Sequence, residues 1–150
     1  MIGILLITHA PLGEALLTCV THVLGHAPER AQALAVAAKE CPDDMIPAAQ
    51  NVIAALDDGH GVLVLTDLFG SSPANLACRL VVPGRVEAIA GVNAPMLLRA
   101  IASRNLDMPA LLKRVVSGGA ESIFRIDCSR AGGPCASDTL AGQMRALSST

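Results

Sequence analysis

Residues 2–7 (IGILLI) form a continuous apolar run and residues 61–66 (GVLVLT) form a second; polar residues and then a helical pattern follow each. Continuous rather than alternating hydrophobicity over that length predicts strands covered on both faces, as in a parallel sheet. Between the runs, Leu16, Val20, Val23 and Leu24 fall at helical spacing within 12–24, and QALAVAA (32–38) reads as a weaker strand. Asp43 and Asp44 suit the positive end of a second helix, whose apolar face is Ile46, Ala49, Ile53 and Leu56. Pro47 has no N–H to donate, so this reading requires it to fall in the first turn.

After the second run comes DLFGSSPANLACRLV, in which Ser72 suits an N-cap, Pro73 the first helical position, and Leu76, Ala77 and Leu80 a buried stripe. VEAIAGV (86–92) reads as a strand, and 93–103 and 107–117 read as helices, the latter bearing Leu111, Leu112, Val115 and Val116. SIFRI (122–126) reads as one last strand. This alternation predicts an α/β fold: a doubly wound, mostly parallel sheet with helices on both faces, to which SIFRI would add a terminal antiparallel strand. From Asp127 the residues are small and polar, so one domain over 1–126 and a flexible tail over 127–150 are expected.

Composition narrows the class. A chain of 150 residues, 52% hydrophobic, suits a single core that buries roughly 70% of the surface its unfolded form exposes. Phe69 and Phe124 are the only aromatic residues, which leaves Leu, Val, Ile and Ala to fill that core. Charged residues make up 16% against a usual ~25%, a surface suited to partial cover by another subunit. Lys and Arg number 11 against 13 Asp and Glu, with no basic cluster beside aromatic residues, which argues against a nucleic-acid partner. No run approaches the roughly 18 apolar residues of a membrane span, and the first basic residue is Arg30, so a cytoplasmic protein without a signal peptide is expected. The five cysteines (Cys19, Cys41, Cys78, Cys128, Cys135) are odd in number and form no CxxC pair. They suit small buried or tolerated thiols better than a disulfide framework or a zinc site.

In an open α/β sheet, ligands bind beyond the C-terminal strand ends at a topological switch point, which lies between strands 1 and 3 in the flavodoxin-like order 2-1-3-4. Given that order, His9 at the end of strand 1 and Asp67 at the end of strand 3 face each other across the crevice. An Asp that accepts a hydrogen bond from one ring nitrogen fixes the tautomer and leaves the other nitrogen nucleophilic. The Gly70-Ser71-Ser72-Pro73 turn then aims the unpaired N–H groups of a helix N-terminus at the same crevice, a setting for a phosphoryl group. Neither GxxxxGK[ST] nor GxGxxG occurs, which argues against a nucleotide. Taken singly, His9 suits a structural strand end, Asp67 a turn, and Ser71 and Ser72 a helix cap. Their convergence at two adjacent strand ends is what points to chemistry. His22 on the polar side of the first helix, and His26 and His60 beside glycines, read as surface residues, and Asp57-Asp58-Gly59 as a solvated helix end.

Three segments in order, ITHAPLGEAL with His9, TDLFGSSPANLA with Asp67, and AGVNAPMLLRAIASR at 90–104, resemble the IIA component of the mannose-type sugar phosphotransferase system. The similarity runs from Met1 to about Leu112 and implies the doubly wound fold already described. It also implies that His9 accepts a phosphoryl group from the phosphocarrier protein HPr and passes it to a IIB component, that Asp67 orients the ring, and that Ser72 with Gly70 and Ser71 holds the phosphate. No metal or cofactor is implied. A homodimer is implied, with SIFRI pairing into the partner's sheet. Two departures stand out: Ser71 where the family often has a second glycine, and the segment from Asp127, which has no counterpart. The length leaves no room for a IIB domain, so a separate acceptor, or a regulatory target, is expected.

Rival readings remain. A serine hydrolase would use Ser71 or Ser72 with His9 and Asp67, though GxSxG is absent. A non-transport signalling module would take phosphate on the same histidine only to change its partner. Within the resemblance, a phosphoryl relay serving dihydroxyacetone kinase also uses such a domain.

Overall fold

The computed structural model describes residues 1–37 and 40–125. Its elements run β1 (Gly3–His9), α1 (Leu12–Leu24), β2 (Ala31–Val36), α2 (Pro42–Leu56), β3 (Val62–Thr66), α3 (Ser72–Leu80), β4 (Val86–Ala90), α4 (Ala94–Ser103) and α5 (Met108–Ala120). The four strands form one sheet in the order β2-β1-β3-β4, and all three pairings are parallel. This is the expected order, and it places the ends of β1 and β3 side by side.

The apolar runs are continuous because each central strand faces a helical layer on both sides. Ile4 and Leu6 of β1 with Leu63 and Leu65 of β3 pack against Val20, Leu97, Leu111 and Val115 of α1, α4 and α5. Leu5 and Ile7 with Val62 and Val64 pack against Ala49, Leu56, Leu76 and Leu80 of α2 and α3. Every one of these is at most 5% exposed. The ends of β1 and β3 therefore rise from strands buried on both faces. Among the described residues no helix is long and apolar enough to cross a membrane.

Several local expectations are corrected. On α1, Leu17 packs on the core while Val23 is 36% exposed. Pro42 occupies the start of α2, so Pro47 lies in the second turn, where it is exposed and leaves the Asp43 carbonyl without its usual partner. The N-cap of α3 is Ser71 rather than Ser72, because Asn75 N–H bonds the Ser71 carbonyl at 2.8 Å; Pro73 then sits second, where an N–H is still dispensable. Helix α5 continues through Gly118 and Gly119 to Ala120 and leaves Val116 51% exposed. Residues 122–125 form a turn and unpaired chain, so no terminal antiparallel strand is present among the described residues, and Ile126 lies outside them. The 127–150 segment with Cys128 and Cys135 also lies outside. Cys19, Cys41 and Cys78 are free and exposed, the tolerated rather than the buried of the two expected settings.

Candidate functional site

Both candidate side chains stand at strand ends. His9 is the last residue of β1, two residues beyond the point where Ile7 pairs with Thr66, and Asp67 follows directly from β3. Asp67 Oδ2 accepts from the His9 backbone N–H at 2.8 Å and lies 2.8 Å from His9 Nδ1, while Oδ1 accepts from the Leu68 N–H at 2.7 Å. The carboxylate side chain is 8% exposed and the imidazole 43%.

Burial pushes the Asp67 carboxyl up, but the bonds from the His9 and Leu68 backbone N–H groups and from the His9 ring outweigh it and hold it below its ordinary value of 3.8. An ionised carboxylate only accepts, so in the neutral imidazole the ring proton sits on Nδ1 and the lone pair on Nε2. Nε2 has no hydrogen-bond partner among the described residues.

An open cavity of about 680 Å³ lies over this pair, lined by His9, Leu12, Asp67, Leu68, Gly91 and Val92. The last two come from the loop after β4, which is tied to β3 by Gly91 N–H to the Asp67 carbonyl at 2.7 Å and Val92 N–H to the Thr66 carbonyl at 3.0 Å. Gly91 makes that return with φ of +89°, a conformation other residues avoid.

Gly70, Ser71 and Ser72 follow in the turn into α3, and they are not equivalent. The Ser71 N–H and Oγ both donate to the Leu68 carbonyl, at 3.1 and 2.7 Å, so this residue braces the turn. The N–H groups of Gly70 and Ser72 have no acceptor among the described residues, and Ser72 is exposed. The serine-hydrolase arrangement is not assembled: Ser71 Oγ gives its proton to a carbonyl, and neither serine hydroxyl bonds His9. His22, His26 and His60 are exposed, as expected of surface residues.

Sequence reasoning missed Thr8, which is 1% exposed immediately before His9, and the apolar cavity wall of Leu12, Leu68 and Val92. A hydroxyl inside an otherwise apolar strand was the available signal for Thr8. Leu68 and Phe69, 66% and 92% exposed, were visible only as apolar residues in a turn.

A parallel sheet in this order, with an imidazole and a carboxylate joined across its switch point, defines a doubly wound α/β protein whose candidate site lies at the ends of β1 and β3. The family model described as the PTS system fructose IIA component matches residues 3–116, and the chain belongs to that family. It is 34% identical over 125 residues to the PTS system mannose-specific EIIAB component of Escherichia coli K12, a match covering 81% of this chain and 38% of that protein. The chain thus spans well under half the length of the curated relative. Among solved structures it is similar to the phosphotransferase component EIIA of Streptococcus agalactiae, with a TM-score of 0.73, 27% identity, and coverage of 86% of this chain and 98% of that one. It is also similar to the PTS IIA protein associated with the fucose utilization operon of Streptococcus pneumoniae, with a TM-score of 0.71, 28% identity, and coverage of 82% and 91%. The mannose/sorbose-specific IIA subunit of Enterococcus faecalis, with a TM-score of 0.74, 20% identity, and coverage of 84% and 95%, shares the fold.

Proposed function

We propose that this chain is a phosphoryl relay of the phosphoenolpyruvate-dependent sugar phosphotransferase system, in which His9 takes a phosphoryl group from phospho-HPr and gives it to a IIB component. The observation that carries the reading is the 2.8 Å contact of His9 Nδ1 with Asp67 Oδ2, which leaves Nε2 free beside an open cavity. Nε2 attacks the phosphorus of the donor phosphohistidine; one N–P bond forms as the donor's breaks, and the Nδ1 proton stays on the ring. The ring gains positive charge in this step, and the Asp67 carboxylate stabilises it. Phosphoryl transfer asks mainly for positioning and charge stabilisation, which a tautomer held from a rigid strand end supplies. The N–H groups of Gly70 and Ser72 and the Ser72 hydroxyl are the groups we assign to the transferred phosphate, with Ser71 bracing their turn.

The test is labelling with phosphoenolpyruvate, enzyme I and HPr. Wild-type protein takes up phosphate on His9 and surrenders it to a IIB protein; undiminished label on His9→Ala would overturn the assignment. We extend the proposal to a cytoplasmic homodimer, for which Ile123 and Phe124, 80% and 77% exposed, supply apolar surface. Sedimentation at the mass of a single chain would refute the dimer without touching the relay.

A further inference from the structure

The hydroxyl of Thr8 is engaged on both sides. Its Oγ1 accepts from the Gly13 N–H at 2.8 Å and donates to the His9 carbonyl at 3.2 Å. Gly13 is the second residue of α1, whose N-cap position is held by Pro11 with no side-chain bond. The first-turn N–H that a cap residue normally takes is therefore held by a residue of the preceding strand. The fit is close, since a Cβ on Gly13 would stand 2.9 Å from Thr8 Oγ1 and 3.0 Å from the Ala33 Cβ. This hydroxyl thus lies at the joint where β1 ends, His9 begins, and α1 returns carrying Leu12 into the cavity wall. Asp67 restrains His9 through its N–H and its ring. Thr8 restrains the opposite side of the same residue, at its carbonyl.

We infer that Thr8 is a positioning residue for His9, its hydroxyl setting how the strand end presents the imidazole to Asp67 and to the cavity. The inference rests on the relay reading for its kinetic consequence and on the observed bonds alone for its spectroscopic one. Thr8→Val removes the hydroxyl at nearly constant shape, Thr8→Ser keeps the hydroxyl and removes the methyl, and Thr8→Ala serves in place of the valine variant if that one does not fold. In the unphosphorylated protein, the ring ¹⁵N resonances of His9 report its tautomer. Wild type and Thr8→Ser give a single Nδ1–H form, and Thr8→Val gives a mixture. In transfer from phospho-HPr, Thr8→Val loses about tenfold in kcat at unchanged KM, while Thr8→Ser stays within about twofold of wild type. Wild-type His9 resonances in Thr8→Val, or equal disturbance in the serine and valine variants, would overturn the inference. Should wild-type protein take no label on His9 while the resonance pattern appears as stated, the relay reading fails and the positioning role stands.

Discussion

One carboxylate oxygen, Asp67 Oδ2, lies 2.8 Å from both the backbone nitrogen and the ring Nδ1 of His9. The same atom therefore fixes where the residue sits and which tautomer it adopts. With the Leu68 N–H on Oδ1, the carboxylate receives three N–H groups and has no capacity to donate. Asp67→Asn replaces one of those acceptor oxygens with an NH₂ that faces donors. We expect labelling of His9 to fall by about a hundredfold and stability by about 1–3 kcal/mol from the stranded donors. Rapid-quench labelling and chemical denaturation of the same preparation measure the two effects.

The depressed Asp67 carboxyl gives acid sensitivity a definite sign. Its folded pKa lies below the ordinary 3.8, so its contribution is present above that value and is lost as pH falls through the folded pKa. Asp57 behaves alike: burial raises it, but the Gly61 and Gly59 N–H groups and Arg85 bring it down. Unfolding free energy should therefore decline with pH below about 4, and more shallowly in Asp67→Ala than in wild type. Denaturant titrations across that window make the comparison.

Ser71 and Ser72 stand next to each other and should separate cleanly. Removing the Ser71 hydroxyl deletes its bond to the Leu68 carbonyl and should cost about 1 kcal/mol of stability, with labelling slowed only through the loosened turn. Removing the exposed Ser72 hydroxyl should leave stability within about 0.5 kcal/mol and slow labelling by about tenfold. Paired thermal melts and labelling rates for the two alanine variants decide the matter, and a reversed pattern would exchange their roles.

Thr66 carries a buried hydroxyl, 2% exposed, with no hydrogen-bond partner among the described residues. Its neighbours on that face of the sheet are apolar. Replacing it with the near-isosteric valine removes an unsatisfied polar group, and we expect stability to rise by about 1 kcal/mol. A lower melting temperature for Thr66→Val would contradict this.

The central strands were legible because burial on two faces leaves an uninterrupted apolar run, and little else in a short chain looks like IGILLI or GVLVLT. Helical faces were legible to within one position: spacing groups Val23 with Leu16, Val20 and Leu24, whereas Leu17 packs on the core and Val23 is 36% exposed. Pro73 fits either of the first two helical positions, so residue type alone does not place the start of α3, whereas Pro42 begins α2 and leaves Pro47 in the second turn. His9 and Asp67 could be paired once the strand order was supposed, since that order alone brings their strand ends together. Thr8, Gly91 and Val92 could not. A hydroxyl at Thr8 and a glycine at Gly91 are visible as residue types, but their part in the site depends on where α1 and the loop after β4 return in space and which backbone groups they meet there.

The cavity above His9 is open, and one ring nitrogen of this lining residue, Nε2, is not taken by Asp67. In the proposed relay, donor and acceptor must then use one doorway in turn. A protein built this way works by exchange of visitors, each leaving before the next arrives. Its kinetics should be ping-pong, with unphosphorylated HPr and IIB each acting as a competitor of the other.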